Sequence, residues 1–123
     1  MRYKFEDLEV WQLSLELNDM VYEASAGLPN IEKFNLVTQI NRAVTSISLN
    51  IAEGSTSQSD KEQIRFIGYA IRSLIEVIGC TRLMERRGYI IEGDLKENLE
   101  SKCNIMFGKL QAFKRSLMRN GDR

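Results

Sequence analysis

The chain has 123 residues, 43% apolar and 28% charged, with 17 basic and 17 acidic side chains and a formal charge of zero. That composition supports one compact core and excludes a disordered chain, which combines low hydrophobicity with high net charge. There is no histidine and there are two cysteines, which removes imidazole catalysis, His-ligated metals and thiolate metal centres.

The chain opens Met1-Arg2-Tyr3-Lys4-Phe5-Glu6-Asp7, turning acidic where a signal peptide needs an apolar stretch. No apolar run reaches the roughly 18 residues of a membrane span, so the protein is expected in the cytoplasm with no membrane contact. A single proline and long helical periods predict an all-α fold. The expected architecture is one domain over residues 1–123, an antiparallel up-down four-helix bundle with helices at about 7–26, 36–53, 60–87 and 93–119. Gly27, Gly54, Gly88 and Gly121 each follow a helical pattern, where terminating glycines belong.

In the first helix, Leu8, Trp11, Leu15 and Tyr22 fall on one flank, and Val10, Leu13, Leu17, Met20, Val21 and Ala24 on another. Together they sweep roughly 220°, against about 100° for a helix with one buried side. Helix two carries Leu36, Ile40, Val44, Ile47 and Ile51 on one face. Helix three opens with Ser59 and Glu62 spaced as a capping box. Its apolar residues, from Ile64 to Met84, sweep roughly 180°. Helix four has a heptad-like seam of Leu95, Leu99, Cys103, Met106, Leu110, Phe113 and Leu117. Cys80 and Cys103 read as small buried apolar residues, with a disulfide as the alternative. One bundle cannot cover the arcs of helices one and three, so a homo-oligomer is expected, with Leu8, Trp11, Leu15 and Tyr22 as candidate interface.

Helix two also carries a polar stripe: Gln39, Arg42, Ser46, Asn50 and Glu53. It is read as a structural stripe, with Arg42, Asn50 and Glu53 at least partly buried in a network that fixes register or a subunit contact; the alternative is a solvated flank. Glu76 and Arg72 of helix three have the signs to pair with Arg42 and Glu53. Nothing in the chain places a base beside a nucleophile or pairs two acids, and the glycines form no phosphate loop. No enzyme and no cofactor is therefore expected.

Charge is segregated along the chain. Residues 1–32 carry a net −5 and residues 33–123 a net +5. Lys61, Arg65, Arg72, Arg86 and Arg87 of helix three, with Lys114, Arg115 and Arg119 of helix four, are candidate phosphate contacts. Lys109 and Arg123 extend the basic C-terminal region. The competing reading is an ordinary solvated face with pairs such as Arg72–Glu76. No base-reading motif accompanies the cations, so binding would lack strong sequence preference.

Two blocks carry a resemblance. Phe5-Glu6-Asp7-Leu8-Glu9-Val10-Trp11-Gln12 and the segment from Gln39 through Gly54 resemble the bacterial 23S rRNA intervening-sequence family of four-helix bundle proteins. Phe66 through Glu76 and Gly88-Tyr89-Ile90 are similar to its later blocks. The chain departs from the family pattern at Asn41 and Arg72, where that pattern has arginine and glycine, and at Ser48, where it has proline. The resemblance implies a pentamer, by relation to the basic pentameric accessory proteins of diversity-generating retroelements, which bind nucleic acid. Two functions fit: an oligomeric bundle that associates with RNA or DNA in a ribonucleoprotein or retroelement-like assembly, or an oligomeric scaffold for a protein partner.

Overall fold

The helical periods become four α-helices: α1 Glu9–Ala26, α2 Leu36–Gly54, α3 Asp60–Arg86 and α4 Leu95–Gly121. The computed structural model describes residues 1–121, and these contain no strand. Two short 3-10 turns, Lys4–Asp7 and Asn30–Glu32, precede α1 and α2.

Helix ends differ from the sequence expectation for local reasons. The first helix starts at Glu9 because Leu8 is extended, at φ −73° and ψ 132°. The residues before it close a separate turn in which the Tyr3 N–H donates to Glu6 Oε2 at 2.6 Å. Gly93 has a positive φ of 63°, so α4 begins beyond it at Leu95. Of Gly27, Gly54 and Gly88, read as terminators, only Gly88 is left-handed, with φ 76°. Gly54 lies inside α2 and serves packing instead: a Cβ there would come within 2.9 Å of Phe66 Cβ on α3. Ser59 caps α3, its Oγ accepting from the Glu62 N–H at 3.2 Å.

Each helix packs on two neighbours, α1 on α2, α2 on α3, α3 on α4 and α4 on α1, so α1 and α3 occupy opposite corners. The core between them contains Leu17, Ile40, Ile47, Ile67, Leu74, Met106 and Leu110, all without solvent exposure. All five apolar residues read on helix two are buried. In the α4 seam Leu95 and Phe113 are half-buried and the other five are buried. Cys80 and Cys103 are buried free thiols, and burial pushes Cys103 up to about 11.

The flank read as a subunit contact divides. Leu8 and Trp11 are half-buried against the core, and Phe5 packs edge-on to Trp11 with ring centroids 4.6 Å apart. The chain's own N-terminal turn therefore covers part of the surface assigned to a subunit contact. Leu15 and Tyr22 stay exposed, at 40% and 50%. On α3 the uncovered apolar residues include Ile75 and Leu83.

Candidate functional site

One face of α3 presents Arg65, Tyr69 and Arg72 in succession, at helical spacings of four and three. α4 brings Gln111 and Lys114 alongside. With Ile64, Gly68 and Ile71 they line an open groove of about 380 Å³ whose lining contains no carboxylate. Among the described residues, Arg65, Arg72 and Lys114 form no ion pair, while Arg2, Arg82, Arg87, Lys102 and Lys109 all do. The i,i+4 pair Arg72–Glu76 does not form. Lys61 lies one turn before Arg65, and the two share a second recess with Ser59 and Glu62. The Arg65 guanidinium sits 5.8 Å from the Phe66 ring centroid, and Phe66 meets Tyr69 edge-to-face at 5.9 Å.

The other cations read from the sequence lie elsewhere. α3 has 27 residues, so Arg86 stands about 21 Å along the axis from Arg72. Arg87 is taken up within the chain, its Nη1 donating to Glu32 Oε2 at 3.3 Å. Arg115 and Arg119 are exposed on α4 outside the groove lining. Lys109 pairs with Glu9 at 2.8 Å, and Lys102 pairs with Glu16. Arg123 lies outside the described residues. The acidic residues of α1 are thus partly neutralised by α4, and α1 stands across the fold from α3.

The polar stripe of α2 also splits. Ser46 and Asn50 are half-buried: Ser73 Oγ donates to Ser46 Oγ at 2.9 Å, and Asn50 Nδ2 donates to the Ser46 carbonyl at 2.9 Å. Against the expectation of a partly buried stripe, Gln39, Arg42 and Glu53 are exposed and, among the described residues, unpaired; only Ser46 and Asn50 fit it. The expected partners Glu76 and Arg72 are not reached. At about 100° per residue, Arg42 and Glu53 turn roughly 60–80° away from Asn50, off the α3 side. They line a second open groove, of about 430 Å³, with Tyr22 of α1 and the exposed Leu49. Tyr22, from the apolar flank, and Arg42 and Glu53, from the polar stripe, therefore share one face.

Sequence reasoning missed two polar centres. Asn18 Nδ2 donates to Ser48 Oγ at 2.8 Å, to the Ser14 carbonyl at 2.8 Å and to the Val44 carbonyl at 3.2 Å. Ser48 Oγ donates to Ser14 Oγ at 2.8 Å, joining α1 to α2. The second centre is the buried Glu32, which accepts from Asn35, Arg87 and Tyr89. Asn18 could have been suspected from its place inside the apolar sweep of α1. Nothing in the pattern marks Glu32.

Residues 6–112 match the 23S rRNA-intervening sequence protein family. The chain belongs to that family. The match covers α1, α2 and α3 and reaches Gln111 in the groove, ending two residues before Lys114. No curated protein matches the chain. Among its described residues no helix is long and apolar enough to cross a membrane. No group of three or more His, Cys, Asp or Glu residues among them could hold a metal ion.

Proposed function

We propose that this family member is a non-enzymatic, oligomeric cytoplasmic protein that associates with the backbone of RNA or DNA in a ribonucleoprotein or retroelement-like assembly. The observation that carries this reading is the convergence of Arg65, Arg72 and Lys114, none of them ion-paired among the described residues, on a groove lined by no carboxylate. Unpaired cations in a concave surface lower the free energy of a phosphate there and release its counterions. Acidic α1 packs on α2 and α4, across the fold from α3, which supports a basic surface on a chain of zero net charge. The family name supports an RNA context.

In this reading the helices alternate up and down. Ser14 bonds Ser48 while Ser25 bonds Asn41, so numbers rise on α1 as they fall on α2. Glu9–Lys109 and Glu16–Lys102 support the same sense for α1 and α4. The subunits assemble as a closed homo-oligomer, a pentamer by resemblance, through the face holding Leu15, Tyr22, Leu49, Arg42 and Glu53. A ring repeats the basic groove, and avidity multiplies weak single-site binding.

The test is a titration of labelled RNA and DNA with the wild type and an Arg65→Ala/Arg72→Ala variant at about 50 mM salt. The wild type binds and the variant binds markedly less. Equal binding, or none, favours the protein-scaffold function.

A further inference from the structure

We infer that the α3–α4 groove takes single-stranded nucleic acid, with a base stacked on Tyr69 and the flanking phosphates held by Arg65 and Arg72. The inference rests on the nucleic-acid reading above and specifies its ligand. A positively charged groove with an aromatic platform is the arrangement that binds single strands without sequence preference. Here the order along one helix face is cation, aromatic, cation. Arg65 and Arg72 are seven residues apart, about 10.5 Å along the axis, and Tyr69 lies between them.

Three further features favour a base over a phosphate at the centre. Tyr69 is 40% exposed, and its ring meets Phe66 edge-to-face. Gly68, beside it, leaves open space: a Cβ there would meet nothing within 4 Å. Ile64 and Ile71 are half-buried and give the groove an apolar floor suited to a base face. The Gln111 amide on the opposite wall offers a donor and an acceptor to a base edge. A duplex presents phosphates outward and keeps its base faces stacked on one another. It can satisfy the two arginines but offers no base face to Tyr69.

The experiment uses the full chain and fluorescence anisotropy at about 50 mM salt. The probes are a labelled oligonucleotide of about 20 bases, as RNA and as DNA, and the blunt duplexes of the same sequence. The wild type prefers the single strands. Tyr69→Ala weakens single-strand binding about tenfold and changes duplex binding less than about twofold, because base stacking on an aromatic is what it removes. Tyr69→Phe, which keeps the ring, restores the single-strand affinity. If Tyr69→Ala binds single strands like the wild type, or loses both forms equally, while the Arg65/Arg72 variant is weakened, the single-strand inference fails and the phosphate reading stands. If the wild type binds neither form, both fail. Native mass is recorded for each variant. A Tyr69→Ala protein that loses binding together with its oligomeric mass assigns Tyr69 to a subunit contact and also overturns the inference.

Discussion

Tyr89 Oη donates to Glu32 Oε2 at 2.6 Å, tying the segment after α3 to the segment before α2. Arg87 reaches the same oxygen at 3.3 Å, and Asn35 Nδ2 donates to Oε1 at 3.0 Å. One carboxylate, its side chain 6% exposed, thus holds two connections at one end of the fold. The Tyr89 hydrogen bond first, then Asn35 and the Arg87 charge, hold the Glu32 carboxyl below its usual value, against burial, which acts to raise it.

The acid limb of stability should therefore depend on Glu32. Its folded-state value lies below the unfolded one, so the contribution is complete above the unfolded carboxyl's range and is lost as pH falls through the lowered folded value. Glu32→Gln should lower the urea midpoint at neutral pH and flatten its decline between about pH 6 and pH 3. Midpoints of variant and wild type that fall in parallel would contradict this. Tyr89→Phe should lower the neutral midpoint in the same direction.

Ser14, Asn18 and Ser48 should behave as one unit. Ser48→Ala removes an acceptor from Asn18 and a donor from the unexposed Ser14, and should cost about 1–3 kcal/mol. The double variant Ser14→Ala/Ser48→Ala should cost less than the sum of the single changes, because the second removal leaves fewer groups stranded. Chemical denaturation of the three variants measures the coupling. Strict additivity would show that the hydroxyls act separately.

Two glycines should respond oppositely to alanine. At Gly54 the new Cβ meets Phe66 Cβ at 2.9 Å, an atom fixed to the α3 backbone, so the helices must move apart and the protein is destabilised. At Gly79, in the middle of α3, nothing lies within 4 Å of the new Cβ. Gly79→Ala should stabilise by about 0.5–1 kcal/mol through helix propensity alone. Thermal melts decide both, and a Gly54→Ala protein as stable as the wild type would remove the close-approach argument.

The contrast between these glycines shows what was legible in the sequence. Periodicity located Ile40, Val44, Ile47 and Ile51 because one buried side imposes a helical spacing. It also placed Arg65 and Arg72 on one face, since seven residues return to nearly the same direction. It could not tell a terminating glycine from a packing glycine, because that depends on Phe66 of another helix. It assigned Arg87 to phosphate, because the loop residue Glu32 belongs to no period and its pairing is tertiary. The arrival of Lys114 beside Arg72 depends on how α4 lies against α3. The union of Tyr22 with Arg42 and Glu53 likewise depends on the packing of α1 on α2.

That shared face should govern assembly. Arg42→Ala and Glu53→Ala remove exposed side chains that pair with nothing among the described residues, so helical content should be unchanged. If the face is a subunit contact, the oligomer should dissociate at higher protein concentration than the wild type does. A dilution series read by native mass spectrometry reports it. Identical dissociation of variants and wild type would place the contact elsewhere.

The central claim is that Arg65 and Arg72 neutralise phosphates, and the salt dependence of binding tests it most directly. Affinity for one labelled nucleic acid is measured across about 50–200 mM salt, and the log–log slope is compared between the wild type and the Arg65→Ala/Arg72→Ala variant. The slope should become shallower by about 0.7 per lost contact on a single strand, or about 0.9 on duplex DNA, for every subunit engaged. A variant with the wild-type slope and affinity would contradict the claim, because the two arginines would then touch no phosphate.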